Sequence, residues 1–243
     1  SEIPYVGCGV LSSSLCMDKA SANLIFEQQN IPHAKSILIH RNEILQDTEY
    51  IIKKIEQEFV YPCFVKPSNS GSSIGISKIK NALELSTALS EALKYDTKII
   101  IEEFIDGKEI ECSVLGNNFN PKASILGEII PANEFYDYQA KYHNSESKTS
   151  VPANLSAEIA NSIREYALKA FKALDCNGLA RIDFFVQKRT NKVYINEINT
   201  MPGFTDISMY PQLWEASGIT YSELITELIE LALNKPSKCI FPI

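Results

Sequence analysis

The chain has 243 residues, 45% of them hydrophobic and 22% charged, which is enough for one large or two ordinary domains whose core needs no disulfide staples. A net charge of −7 sets the surface against nucleic-acid phosphates. No apolar run approaches the ~18 residues of a membrane helix, and no basic-then-apolar leader opens the chain.

The cysteines Cys8, Cys16, Cys63, Cys112, Cys176 and Cys239 form no C-x-x-C pair, and three of them sit in apolar runs. They read as small core hydrophobes in a reducing cytosol. His33, His40 and His143 make no ligand pattern. The expectation is a cytoplasmic protein with neither a nucleic-acid nor a membrane partner.

In chain order, residues 1–16 are rich in Gly and Ser and read as a loop or the tail of something upstream. Asp18 can cap a helix from about Lys19 to Gln29, which Asn30 and Pro32 end. Ile51, Ile52 and Ile55 have the spacing of a helix over Thr48 to Glu58. CFVKP (63–67) predicts a short buried strand, followed by the loop SNSGSS and a strand IGISKI (74–79). Asn81 and Glu84 start a helix to about Leu93, and TKIIIEEF (97–104) is a strong strand. EIECSVLG (109–116), the turn Asn117-Asn118 and ASILGEII (123–130) predict an antiparallel hairpin.

Residues 131–154 are polar and irregular, and a loop this long inside a compact domain is usually functional. Ser156 caps a long helix to about Leu174. GLARIDFFV and KVYINEIN are strands joined by the turn KRTN, and Thr220 with Glu223 makes a capping box for a last helix to about Leu233. Hairpin neighbours without regular β-then-α alternation predict an α+β fold with mainly antiparallel sheets. Neither G-x-G-x-x-G after a strand nor G-x-x-x-x-G-K-[ST] occurs, so any nucleotide would be held by another device.

Four stretches carry candidate chemistry. Alternate side chains share a strand face, so Arg181 and Asp183 point one way, and Glu197 and Asn199 point with Val193 and Ile195. Asp183, Glu197 and Asn199 can then converge, and oxygen-only ligands suit Mg²⁺ or Mn²⁺. A solvated face with an Arg181–Asp183 ion pair fits the same pattern. In FVKPSNSGSSIG (64–75), Lys66 and a Gly/Ser-rich run offer a fixed cation and backbone N–H groups to phosphate, or else form a surface hairpin loop. In IIIEEFIDGKEIE, a buried strand running into acidic residues can end in a nucleotide pocket or simply in solvent. FYDYQAKY can be a water-excluding lid or a loop pinned by its aromatics.

Taken in order, MDK (17–19), FVKPSNSGSSIG (64–75), IIEEFIDGKE (100–109), EFYDYQAKY (134–142), GLARIDFF (178–185) and NEINTMPGFTDISMYP (196–211) resemble the D-alanine–D-alanine ligase family of ATP-grasp enzymes. The resemblance implies two α+β domains gripping ATP between mainly antiparallel sheets. Residues 1–18 would end an N-terminal domain that the family has and this chain lacks. Residues 19–106 would form the central domain and 107–243 the C-terminal catalytic domain. It further implies ligation of two D-alanine molecules through an acylphosphate, for peptidoglycan precursors, with ATP, two Mg²⁺ or Mn²⁺ ions and a homodimer.

By the same resemblance Lys19 and Lys66 would hold phosphates, and Glu102, Glu103, Phe104, Ile105 and Glu109 would line the adenine and ribose site. Asp183, Glu197 and Asn199 would bind the metals, Arg181 would stabilise the oxyanion, and Ser72 and Tyr142 would orient the reactants. Lys141, Gly203, Ser208 and Met209 would meet the second substrate. Tyr142 stands where ligases making D-alanyl-D-lactate carry a histidine, which implies an amine nucleophile. The alternatives are a D-alanine–D-serine ligase, another ATP-grasp carboxylate–amine ligase, or an ATP-binding fragment without turnover.

Overall fold

The structure is a computed structural model that describes residues 3–130 and 148–234. The predicted loop FYDYQAKY, with Lys141, Tyr142 and His143, and the C-terminal Cys239 lie outside the described residues.

Two antiparallel sheets organise the chain. Helices α1 (Val10–Met17) and α2 (Lys19–Gln28) come first. Strand β1 (Ser36–His40), helices α3 (Arg41–Gln46) and α4 (Thr48–Glu58), strands β2 (Cys63–Pro67) and β3 (Ser77–Ile79), α5 (Ala82–Ala92) and β4 (Lys98–Glu103) follow. The four strands form one sheet in the order β1-β4-β2-β3. Then come β5 (Gly107–Gly116), β6 (Lys122–Ile130), β7 (Lys148–Ser150), α6 (Ala157–Ala173), β8 (Gly178–Gln187) and β9 (Val193–Asn199). They form a second sheet in the order β7-β6-β5-β8-β9, and α7 (Met209–Ala216) and α8 (Tyr221–Leu233) close the described chain.

Local chemistry sets most of these boundaries. The Asp18 carboxylate accepts the Ser21 N–H and starts α2, Asn81 does the same for α5 through Leu83, and Ser156 starts α6 through Ile159. Thr220 and Glu223 form the expected reciprocal box at α8. The helix α1 falls where a loop was expected. Its N-cap, Gly9, offers no side-chain bond, and Ser12, Ser13 and Ser14 are poor helix formers, so only packing of Ser12 and Cys16 reveals it.

The first sheet is buried by α4 and α5 around Ile51, Ile55, Leu85, Leu89, Ile99 and Ile101. The second is covered on one face by α6, which buries Ile163, Ala167, Ala170 and Phe171 at helical spacing against Ile110, Ile182 and Phe184. Truncating the fully buried Phe171 to Ala should cost roughly 3–5 kcal/mol. Cys16, Ala22 and Phe26 belong to this same core, so α1 and α2 pack with the five-stranded sheet rather than with the four-stranded one. Core packing therefore places residues 19–31 differently from a boundary drawn at residue 19.

The strand alternation expected for β9 is broken. Asp183 faces Glu197, but the next pair is Phe184 with Ile195, which leaves Asn196 as an extra residue in the ladder. This bulge sends Val193 and Ile195 into the core with Ile198, away from the face of Glu197 and Asn199. The expectation that all four share one face is corrected accordingly. Strict period-two reading holds only on one side of the bulge.

Candidate functional site

A cleft of about 600 Å³ lies where the end of the first sheet meets the second. The chain leaves β4 at Glu103 and enters β5 at Gly107, and this short link forms part of the wall. Eight of the residues expected to bind nucleotide or metal line it together: Lys19, Lys66, Glu102, Glu103, Phe104, Ile105, Glu109 and Glu197. Ser72, expected to orient the reactants, lines it as well.

The two lysines come from different directions. Lys66 stands on β2 opposite Ile100 of β4, and its ammonium is hydrogen-bonded to Glu102, both side chains being nearly buried. Lys19 begins α2; its Nζ donates to the Ser70 carbonyl at 2.6 Å and lies 3.3 Å from Glu197 Oε2. The backbone is pinned nearby: Lys19 N donates to Ser68 O at 3.0 Å, and Ser68 Oγ donates to Asp18 Oδ1 at 3.0 Å. Lys98 closes this clasp with an ion pair to Asp18. Burial raises the Asp18 pKa, but the hydrogen bonds and charge supplied by Lys98, Ser21 and Ser68 outweigh it and hold the carboxyl below its ordinary value.

The loop between β2 and β3 is bent into an unusual path. Ser72 and Ser73 both adopt left-handed backbone, with φ of +52° and +59°. Such conformations cost roughly 1–3 kcal/mol each outside glycine and tend to persist at functional loops. Two local turns brace this path, Ile74 N donating to Gly71 O at 3.1 Å and Ile76 N to Ser73 O at 3.4 Å.

The apolar wall is aromatic. Phe64 and Phe104 meet at 6.0 Å in a tilted pair, and Lys78 Nζ sits 3.9 Å above the Phe104 ring. Ile105 is buried with Ala34, Tyr194 and Phe185 behind it, while Glu103 Oε1 accepts the Lys35 N–H at 2.8 Å. An apolar slot flanked by strand-end backbone and carboxylates can hold a planar heterocycle and its ribose. Phe64, Lys78 and the Lys108–Glu128 pair (3.0 Å) were not anticipated from the sequence. Phe64 was legible in principle, since it stands beside Lys66 in the same buried strand.

Beyond the cleft lining, the second sheet carries a row of charges. Antiparallel register sets Glu111, Asp183 and Glu197 side by side across β5, β8 and β9, with Ser113, Arg181 and Asn199 in the next row on that face. Arg181 grips Asp183 through both oxygens, Nε to Oδ1 at 2.8 Å and a terminal nitrogen to Oδ2 at 2.7 Å, and its Nε is 3.2 Å from Glu111 Oε2. Burial would lower the Arg181 pKa, but the charges of Asp183 and Glu111 outweigh it and push it well above the usual guanidinium value. Arg181 is therefore a permanent cation. Glu111 was missed, although it alternates with Glu109 on a strand whose other residues are largely apolar.

Asp183 pairs directly with Glu197, and Arg181 and Asn199 stand in the next row, but none of the three lines the cleft itself. Hard carboxylate and amide oxygens fit Mg²⁺ or Mn²⁺, and Asp183 and Glu197 lie opposite each other. Among the described residues no cluster of three or more His, Cys, Asp or Glu side chains is arranged to hold a metal ion.

Gly203 and Ser208 are brought together near the start of α7. A Cβ on Gly203 would fall 2.8 Å from Ser208 Oγ, which itself bonds Thr205 N at 3.0 Å and Thr205 Oγ1 at 2.9 Å. Met209 is placed elsewhere: it is buried with Ile129 and Leu213, fixing α7 onto the second sheet.

The family model described as D-ala D-ala ligase C-terminus matches residues 25–230. The chain belongs to this family. It is 61% identical over 233 residues to the D-alanine--D-alanine ligase of Acetivibrio thermocellus, covering 96% of this chain and 62% of that relative. The corresponding ligase of Ruminiclostridium cellulolyticum is 56% identical over 235 residues, again with 96% and 62% covered. The chain thus spans a little over three fifths of the length of these relatives.

Solved structures agree with this family assignment. The D-alanine-D-alanine ligase from Coxiella burnetii superposes with a TM-score of 0.83 at 38% identity, covering 96% of this chain and 61% of that one. The VanG D-Ala:D-Ser ligase from Enterococcus faecalis gives 0.85 at 39% identity, with 95% and 65% covered. The architecture is the α+β ATP-grasp fold with antiparallel sheets, as the family requires.

Proposed function

We propose that this chain forms the ATP-binding and catalytic part of an enzyme that joins two D-alanine molecules for peptidoglycan precursors, consuming ATP. The observation that carries it is the cleft between the two sheets. It brings two buried ammonium groups, Lys19 from α2 and Lys66 from β2, to one space with an apolar slot at Phe64, Phe104 and Ile105.

The chemistry follows from charge. A carboxylate and a triphosphate repel each other, so fixed cations must meet them in an already shaped site. Lys19 and Lys66, now held by Glu197 and Glu102, exchange those partners for phosphate oxygens. Glu102, Glu103 and Glu109, with backbone of Phe104 and Ile105, hold adenine and ribose. Arg181 stabilises charge on the carbonyl oxygen as the amine attacks an acylphosphate of the first D-alanine. Ser72 and Tyr142 orient the reactants, and Lys141, Gly203 and Ser208 hold the second substrate. Met209 acts from beneath, by setting the angle of α7.

Asp183, Glu197 and Asn199 would hold Mg²⁺ or Mn²⁺. A bound ion supplies neutralisation of phosphate charge, and it would share Asp183 with Arg181. The protein acts as a homodimer in this reading. The test is phosphate release by the full-length protein with ATP, Mg²⁺ and D-alanine. Release that does not depend on D-alanine would overturn the assignment.

The likeness to the VanG D-Ala:D-Ser ligase supports a second reading, in which D-serine is the attacking amine. One added hydroxyl is accommodated by few changes. Comparing D-serine with D-alanine as second substrate, by kcat/KM, separates the two.

A further inference from the structure

Three of the five described cysteines lie together, outside the cleft lining and the proposed chemistry. Cys16 Sγ, on α1, is 3.8 Å from Cys176 Sγ, and both residues are buried. Cys176 sits two residues before Gly178, where β8 begins. Cys8 Sγ accepts the Asn177 N–H at 3.4 Å and donates to Leu179 O at 3.7 Å, so it brackets the same corner, and it is partly exposed. Two thiols in van der Waals contact need to approach by only about 1.7 Å to reach the ~2.05 Å of a disulfide.

The two segments they would join both lead to residues of the proposed site. Asp18 and Lys19 follow Cys16 after Met17, and Arg181 and Asp183 follow Cys176 on β8. Cys63 and Cys112, in the sheets, have no sulfur neighbour among the described residues, so the juxtaposition is particular to this corner.

We propose that Cys16 and Cys176 are an oxidation site, a dithiol that hydrogen peroxide or an organic hydroperoxide converts to a disulfide, stapling α1 to the segment entering β8. The step balances with the oxidant named: one thiol sulfur takes an oxygen from the peroxide to give a sulfenic acid and one water (an alcohol with an organic hydroperoxide). The second thiol then attacks that sulfur, its proton leaving with the hydroxyl as water. Two S–H bonds and one O–O bond break, and one S–S bond and two O–H bonds form. A small neutral oxidant suits a buried pair because it carries no charge into the core, and the partly exposed Cys8 marks where the corner opens to solvent. Hydrogen bonding with Cys16 and Cys8, and then burial, raise the Cys176 thiol pKa, so the reaction is slow compared with a thiolate sensor and responds to sustained oxidant. Nothing here depends on the proposed ligase reaction.

The experiment is peptide mapping of the folded full-length protein after hydrogen peroxide treatment, with remaining thiols alkylated and no reductant. A peptide linking Cys16 to Cys176, lost with dithiothreitol and absent in Cys16→Ser, is the expected result. The Cys63→Ser variant should give the linked peptide in the same yield as the parent. Linkage of Cys8 to Cys176 instead, a link that appears only after denaturation, or full recovery of alkylated Cys16 and Cys176 would each overturn the proposal. Circular dichroism of Cys16→Ser matching the parent confirms that loss of the link is not loss of the fold.

Discussion

Lys19 and Glu197 meet across the cleft, Nζ to Oε2 at 3.3 Å, while the same ammonium bonds the Ser70 carbonyl at 2.6 Å. One side chain from α2 thereby touches β9 of the second sheet and the loop of the first. The contact keeps a cation in place where phosphate is expected, and it keeps Glu197 turned inward.

Glu197→Gln preserves that volume and removes the charge. Turnover of the full-length protein should fall by ~10²-fold or more, the scale of losing one charge-stabilising group in a shaped site. The thermal midpoint should stay close to the parent, because Glu197 is only partly buried. Near-normal phosphate release would remove Glu197 from the metal and phosphate site.

Lys66 and Glu102 are a nearly buried ion pair on adjacent strands, each 7% exposed. Removing one partner strands the other charge. Lys66→Met should therefore destabilise the chain by ~3–5 kcal/mol and weaken nucleotide binding. The double variant Lys66→Met with Glu102→Leu should recover much of the stability but none of the binding. Urea unfolding and nucleotide titration of the same proteins separate the effects, and additive losses in stability would show the pair to be uncoupled.

Arg181 is held as a fork by both oxygens of Asp183, a geometry lysine cannot copy. Arg181→Lys should lower kcat by ~10²–10³-fold with little change in KM for ATP. Glu111→Gln loosens the other side of the guanidinium and should give a smaller loss in the same direction. A KM effect with unchanged kcat would place Arg181 in ground-state binding instead.

Much of this arrangement could be read from local sequence rules, because caps and hydrophobic spacing act over a few residues. The Asp18, Asn81, Ser156 and Thr220 caps all start their helices as expected. The bulge at Asn196 was illegible, since register depends on the partner strand and not on β9 alone. Glu111 escaped notice for a different reason. Its meaning comes from standing opposite Asp183, and strand pairing across 72 positions leaves no mark on its own neighbours. Met209 sits in a motif yet packs inward, because α7, which no sequence signal announced, turns it onto Ile129.

Asp18 offers a pH test of the clasp that seats Lys19. Its folded pKa lies below the ordinary 3.8, so its contribution to stability is fully present above that value and is lost as pH falls through the lower folded pKa. Asp18→Asn keeps an N-cap oxygen for Ser21 but removes the charge that Lys98 holds. The urea midpoint of the variant should fall below that of the parent near neutral pH, and the gap should close as pH drops below 3.8. A gap that stays constant across that range would mean the loss came from packing or capping, and the Lys98–Asp18 charge pair would then have no part in positioning α2.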